Sequence, residues 1–254
     1  MTRTLFVAAA VWLIALSIAC QAEGVRCDRA NFRIAVDVGH TPEAKGAKSA
    51  RGVPEYDFNL ALGSEIVGLL GKAGYPTLRI VVHGRGKAQL LLRTSQARDF
   101  GARLLLSIHH DDVQAIYKSN WTFEGGWHSF SDRYSGYSLF VSSKNTQYDS
   151  SIAFARLLGI QFKNRGLKFS QHHAENIPGE RRPLLDQELG IYTYDNLVVL
   201  RTAASPAVLL EAGIISNRID ETVLGGWDRR QQLANLVLAA VNTFCETGSS
   251  ALNR

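Results

Sequence analysis

Residues 32–40 read Phe-Arg-Ile-Ala-Val-Asp-Val-Gly-His, an apolar run that ends at a glycine and a histidine. Short apolar runs of this kind are typical of a strand buried on both faces. Further strands are predicted downstream, at 77–82, 103–108, 137–142 and 207–210. Segments with helical spacing lie between or after them, at 56–70, 88–100, 150–166 and 229–245. Strands that alternate with helices predict an α/β fold.

The alternation runs to the last helix without an internal repeat or a low-complexity linker. This organisation predicts a single catalytic domain at residues 31–246. We expect a mainly parallel, twisted sheet of about five or six strands with helices on both faces. Two stretches, 112–135 and 169–196, fit no regular element. Loops of this length in a compact domain usually carry function or are partly disordered.

The N-terminal 22 residues have the layout of a secretory signal peptide. Arg3 supplies a positive charge, residues 5–19 are uncharged and mostly apolar, and small residues follow up to Ala22. The apolar run is short for a membrane-spanning helix. We therefore expect an exported protein whose mature chain has no membrane span. The alternatives are an uncleaved N-terminal anchor and a lipoprotein attached through Cys20.

Cysteine usage agrees with export. Cys27 and Cys245 lie near the two ends of the mature chain. In an oxidising compartment they can pair and connect the N-terminal strand to the last helix. The alternative is two unpaired thiols.

The basic residues are scattered, although the chain carries a formal net charge of +5. Adjacent basic residues occur only at Arg181-Arg182 and Arg229-Arg230. A nucleic-acid-binding surface needs clustered positive charge. The distribution therefore argues against a nucleic-acid partner.

Three predicted strands end in a residue that can bind a metal or move a proton: His40, His109 and Glu211. The carboxyl ends of parallel strands meet at one edge of a sheet, so these side chains are expected to converge there. Glu55 begins the helix after the first strand and can return to the same edge. Two imidazoles and a carboxylate can hold Zn²⁺ and leave a fourth position for water.

Each of these residues also has a simpler interpretation. A histidine at a strand end is often only a hydrogen-bonded polar residue, and Glu55 alone would favour the dipole at a helix N-terminus. Glu211 follows an apolar strand, where a carboxylate is costly to bury unless it is paired or bound to metal. His172 and His173 are further candidate ligands, but they lie in a polar stretch away from the strand ends. We expect them to be solvated loop residues.

Four segments that contain these residues resemble the zinc N-acetylmuramoyl-L-alanine amidases of the amidase 3 family. They are 37–40 (Asp-Val-Gly-His), 55–61 (Glu-Tyr-Asp-Phe-Asn-Leu-Ala), 107–111 (Ser-Ile-His-His-Asp) and 206–217 (Pro-Ala-Val-Leu-Leu-Glu-Ala-Gly-Ile-Ile-Ser-Asn). Val38 and Thr41 depart from the family's usual proline and glycine. His110 stands where a small residue is common, which leaves the register between His109 and His110 open. The resemblance favours His109.

The resemblance implies a Zn²⁺ hydrolase with His40, Glu55 and His109 as metal ligands. Glu211 would accept the proton of the attacking water and return it to the leaving amine. The bond implied is the amide between the lactyl group of N-acetylmuramic acid and L-alanine. The expected setting is peptidoglycan in the periplasm or cell envelope, with a monomeric enzyme and room for a protein activator. Asp37 would orient a ligand histidine or cap a loop.

Other functions remain open from the sequence. A zinc carboxypeptidase or endopeptidase could use the same sheet edge to act on the peptidoglycan stem peptide. A catalytically inactive wall-binding module is a third interpretation. Trp121, Trp127 and His128 would line a substrate groove or form a local aromatic core.

Overall fold

The computed structural model describes residues 27–247 of the 254-residue chain. The signal peptide predicted at 1–22, with the lipoprotein alternative at Cys20, lies outside the described residues. Over 27–247, no helix combines the length and the apolar character needed to cross a bilayer.

Nine strands and six α-helices are formed within this range. The strands are β1 (Ile34–Val38), β2 (Thr77–Ile80), β3 (Leu104–Asp111), β4 (Ser119–Phe123), β5 (Gly126–Phe130), β6 (Ser138–Val141), β7 (Leu184–Asp186), β8 (Ile191–Thr193) and β9 (Ala207–Ile214). The helices are α1 (Glu55–Lys72), α2 (Ala88–Asp99), α3 (Tyr148–Asn164), α4 (Val198–Thr202), α5 (Arg218–Gly225) and α6 (Trp227–Thr247).

The central sheet has the strand order β2-β1-β3-β9-β6-β8-β7. The first four strands in this order run parallel. β6 is antiparallel to β9, β8 is parallel to β6, and β7 is antiparallel to β8. The predicted single α/β domain with a mainly parallel sheet is confirmed, with seven strands where five or six were expected. β7 and β8 are three residues long, which is too short to show a hydrophobic period.

Helices cover both faces of the sheet, as predicted. α1, α3 and α6 pack on one face, where Leu62, Ile66 and Leu70 of α1 are fully buried. α2 and α4 cover the other face, with Ala97 and Leu200 in its core. Burying apolar side chains on both faces removes the sheet from water and stabilises the parallel strands.

The stretch 112–135, expected to be irregular, contains the antiparallel hairpin β4-β5. Trp121 stacks on Phe123 at a ring-centroid distance of 5.5 Å, and its indole nitrogen donates to the carbonyl of Ala50 at 2.8 Å. The Arg218 guanidinium lies 5.2 Å from the Trp121 ring. Trp121 therefore belongs to a local aromatic core, whereas Trp127 is 80% exposed.

Cys27 and Cys245 form a disulfide, with Cα atoms 5.1 Å apart and a sequence separation of 218 residues. It joins the segment before β1 to the last turns of α6. The pairing anticipated from the two cysteine positions is therefore present.

Replacing Cys27 and Cys245 with serine is expected to lower the free energy of unfolding by roughly 4–5 kcal/mol, because the unfolded chain regains the entropy of a very long loop. Denaturant titration of the oxidised protein and the double variant measures the difference. Under reducing conditions the two proteins should unfold at similar denaturant concentrations, which serves as the control. Identical midpoints without reductant would contradict the prediction.

Candidate metal centre

The polar residues at the strand ends converge at one edge of the sheet. β3 lies between β1 and β9, and His109 of β3 is in register with Glu211 of β9. Both strands run further than predicted, to Asp111 and Ile214, so these two residues lie within strands. His40 follows β1, which places it beside the same end of β3.

His40, Glu55 and His109 face one another, and we refer to them as the first cluster. One carboxylate oxygen of Glu55 lies 2.7 Å from Nε2 of His40, and the other lies 2.9 Å from Nδ1 of His109. The candidate ligand atoms all lie within 4.8 Å of one another. Glu55 is at the first residue of α1, and the preceding loop returns it to the end of β1.

The surroundings of Glu55 keep its carboxylate ionised. Burial raises its pKa, but hydrogen bonds with His109 and His40 outweigh burial and hold the pKa well below its usual range. The side chain of Asn59 also donates to Glu55, at 3.1 Å. A buried anion between two imidazoles is a donor set that suits a divalent cation.

Two glycines make room for the first cluster. A Cβ atom on Gly39 would lie 2.4 Å from Nε2 of His109. A Cβ atom on Gly46, whose φ is +77°, would lie 2.5 Å from both Glu55 Oε2 and His40 Nε2. The backbone is thus shaped so that these side chains can reach one point, and the residues present fit a metal ion of the zinc class.

The backbone of His40 is in the left-handed region, with φ of 66°. For a residue with a side chain this conformation costs on the order of 1–3 kcal/mol and needs support from its surroundings. Arg93 of α2 supplies that support by donating to the carbonyls of Val38 and His40. Arg93 is buried and was not identified from the sequence.

Asp37 acts through Arg93. Its carboxylate accepts from the Arg93 guanidinium and, at 2.8 Å, from the hydroxyl of Ser107. Of the two roles expected for Asp37, orienting a ligand histidine or capping a loop, its hydrogen bonds show neither directly, because its oxygens accept from Arg93 and Ser107. Through Arg93 it helps to fix the backbone of His40.

His109 and His110 point to opposite sides of β3. Nδ1 of His110 lies 2.8 Å from the side-chain oxygen of Asn59, and its ring packs 5.5 Å from that of Phe58. Burial lowers the pKa of His110 to about 3. His110 is thus a neutral core residue, and His109 is the one that faces Glu55.

Glu211 and His109 line a cavity of about 370 Å³. Oε2 of Glu211 is buried and has no hydrogen-bond partner among residues 27–247. Burial, together with the negative charges of Asp111 and Glu55, raises the pKa of Glu211 well above its ordinary value. A carboxyl group with an unshared oxygen beside a candidate cation site is suited to proton transfer.

His172 and His173 are buried, with 1% and 9% of their surface exposed. The expectation that they are solvated is wrong, because the segment 169–196 folds back over the sheet edge and forms β7 and β8. Both Nε2 atoms lie near one oxygen of Asp111, at 3.1 and 2.8 Å. Burial lowers the pKa of His173, but Asp111 and Glu180 outweigh it and raise the pKa to about 9.

The sequence and the fold were compared with those of known proteins. A family model described as N-acetylmuramoyl-L-alanine amidase matches residues 34–243. A curated relative, the probable N-acetylmuramoyl-L-alanine amidase AmiB of Haemophilus influenzae, is 25% identical over an alignment of 237 residues. That alignment covers 85% of this chain and 52% of the relative, so the chain spans about half the relative's length.

Two solved structures illustrate the structural likeness. The N-acetylmuramyl-L-alanine amidase Ami1 of Mycobacterium smegmatis matches with a TM-score of 0.65 at 18% identity, over 85% of this chain and 98% of that one. The catalytic domain of CwlV, an amidase from Bacillus (Paenibacillus) polymyxa var. colistinus, matches with a TM-score of 0.61 at 23% identity, over 84% and 97%. The fold described above is therefore that of amidase catalytic domains.

Proposed function

Because the chain belongs to the N-acetylmuramoyl-L-alanine amidase family, we propose that it hydrolyses the amide between N-acetylmuramic acid and L-alanine in peptidoglycan. The observation that carries the proposal is the meeting of His40, Glu55 and His109 beside a cavity that Glu211 also lines. A candidate cation site and a proton-accepting carboxylate in one cavity are the parts that amide hydrolysis needs.

The metal in this proposal is Zn²⁺, held by His40, Glu55 and His109. Two imidazoles and one carboxylate are a ligand set found in catalytic zinc sites, and the fourth position stays open. When bound, zinc would polarise the scissile carbonyl, activate water at neutral pH and, by its charge, lower the pKa of Glu211.

Glu211 is the proposed general base and then the general acid. Its carboxylate takes a proton from the attacking water and delivers it to the nitrogen of the L-alanine as the amide bond breaks. Its Oε2 makes no competing hydrogen bond within residues 27–247, so the atom is available for this transfer. Glu211 is paired with His109 on the neighbouring strand, and both side chains line the same cavity.

The same proposal places the protein outside the cytoplasm, in the periplasm or cell envelope where peptidoglycan lies. The predicted signal peptide at 1–22 and the Cys27–Cys245 disulfide support export, since disulfides persist in oxidising compartments. A protein activator would change access to Glu211 by moving segments that line the cavity, such as 112–114 and 179–182.

Mass spectrometry of digested peptidoglycan, with and without a chelator, tests this function. We expect intact stem peptides that begin with L-alanine, glycan strands with free lactyl groups, and loss of both products when the metal is removed. Re-adding zinc to the chelated protein should restore them and is the control for damage by the chelator.

Other products would favour the alternative functions. Released D-alanine, or cleavage within the stem peptide, would show a carboxypeptidase or endopeptidase and contradict the amidase proposal. Binding to the wall without any product, in the presence of zinc, would show an inactive wall-binding module.

A further inference from the structure

Asp111, His172 and His173 form a second cluster beside the first. Nε2 of His172 and Nε2 of His173 lie 3.1 and 2.8 Å from Oδ2 of Asp111. In the first cluster, Glu55 Oε2 lies 2.7 Å from Nε2 of His40, and Glu55 Oε1 lies 2.9 Å from Nδ1 of His109. Donors around a tetrahedral zinc lie about 3.3 Å apart, given metal–ligand distances near 2.0–2.2 Å. The two clusters are thus similarly compact, and each needs little expansion to hold an ion.

The three facing atoms are buried and unsatisfied. Asp111 Oδ2, His172 Nε2 and His173 Nε2 each lack a hydrogen bond of acceptable geometry within residues 27–247. All three residues are at least nine-tenths buried. Buried polar atoms without partners are costly and rare in folded proteins. A bound cation would satisfy all three together.

The opposite nitrogen of each imidazole is already held. Nδ1 of His172 lies 2.8 Å from the hydroxyl of Ser170, and Nδ1 of His173 lies 2.9 Å from a carboxylate oxygen of Glu180. Metal-binding histidines usually use the second nitrogen in this way, which fixes the ring and its tautomer. Both Nε2 atoms are thereby directed at Asp111.

Asp111 is oriented by the end of β3. The pairing of β3 with β9 shifts register between His109 and Asp111. Such irregularities often redirect a side chain next to a functional site. The other carboxylate oxygen of Asp111 accepts from the backbone nitrogen of Asp112 at 2.8 Å, which leaves Oδ2 for the histidines.

We propose that the chain binds a second divalent cation of the zinc class between Asp111, His172 and His173. The ion would join the segment around the two histidines to the end of β3. Asp111 and His173 line the same cavity as His109 and Glu211, so an ion has an access route and the cavity can supply a further ligand. This inference stands apart from the reaction proposed above, because it concerns different side chains.

The competing arrangement has no metal. A protonated His173 would then sit between the carboxylates of Asp111 and Glu180 as a buried ion pair. The two arrangements differ in the number of ions that the protein binds, so stoichiometry separates them.

The test is zinc binding to the whole metal-free protein, measured by calorimetry and by elemental analysis after gel filtration. Wild type is expected to bind two equivalents, and His172→Gln and His173→Gln one each. His40→Ala, altered in the first cluster only, is expected to bind one. His83→Gln is the matched control, because His83 is an exposed histidine paired with Glu43, and it should bind two.

A second readout does not depend on the folding of the histidine variants. In the His40→Ala protein, zinc is expected to slow amide hydrogen exchange in residues 170–182, because the ion fastens this segment to β3. One equivalent in wild type that His40→Ala loses, or no zinc-dependent protection of 170–182, would overturn the second site. Two equivalents in His40→Ala with one in His173→Gln would keep the second site and reject the ligands proposed for the first.

Discussion

Glu211→Gln is expected to reduce amide hydrolysis by about 10²–10⁴-fold, the usual contribution of a general acid–base residue. Glutamine keeps the size of the side chain but cannot accept a proton from water at neutral pH. Glu211 is not one of the first-cluster residues, so the metal content should not change. The measurement is the rate of release of stem peptides from purified peptidoglycan, with zinc content determined on the same samples.

Glu188→Gln provides the matched control for this substitution. Glu188 is a surface carboxylate that pairs with Lys163 and does not line the cavity. Its loss should leave the rate unchanged. A Glu211→Gln protein with nearly normal turnover would remove Glu211 from the proposed mechanism. A slow variant that has also lost its zinc would instead mean that Glu211 supports the metal.

His40→Ala and His109→Ala are each expected to lose one equivalent of zinc, with affinity at the first cluster falling by more than about 100-fold. Loss of residues that only orient a ligand already costs about 10–100-fold, and loss of a ligand should cost more. Hydrolysis should fall to the level of chelated wild-type protein. Elemental analysis and the same peptidoglycan assay provide both measurements.

His110→Gln tests the register of the two neighbouring histidines. His110 points into the core toward Asn59, so the variant should keep the zinc that His109→Ala loses. The full wild-type zinc content in both His40→Ala and His109→Ala, with a normal circular dichroism spectrum, would reject the first cluster as the metal centre. If His110→Gln lost zinc and His109→Ala kept it, His110 and not His109 would be the ligand.

The residues at the sheet edge could be predicted because their positions follow from topology. His109 and Glu211 come at the ends of apolar runs, and the carboxyl ends of parallel strands meet at one edge. Glu55 was predictable once α1 was expected to start near that edge. The positions of these residues follow from local pattern and the general geometry of parallel sheets, whereas their roles as ligands and general base follow from the resemblance to the amidase 3 family.

Arg93 shows where local pattern fails. The helical spacing of α2 predicts that Leu91, Leu92 and Ala97 form its apolar side. Ala97 is buried as expected, but the two leucines are 55% and 43% exposed. Arg93 is buried because its guanidinium has partners in Asp37 and the carbonyls around His40, which lie more than fifty residues earlier. A buried charge is stable only with such partners, and they belong to another element.

The burial of His172 and His173 could not be predicted for a related reason. Their burial depends on the segment 169–196 returning to the sheet through two strands of three residues. Strands that short leave no period in the sequence, so the stretch looked like an exposed loop. Asp111, their partner, lies 61 and 62 residues earlier in the chain, so no local pattern links it to the two histidines.

The position of the Cys27–Cys245 disulfide determines which side of the molecule is free to contact a polymer. Cys27 precedes β1, and the disulfide lies with Phe32, Arg103 and Pro206 around the amino ends of the central strands. The candidate metal centre is near their carboxyl ends, about 17 Å further along β3 as measured from Leu104 to His109. A tether attached to either end of the described chain would therefore lie on the side of the molecule opposite the cavity, and would leave the cavity open to the polymer.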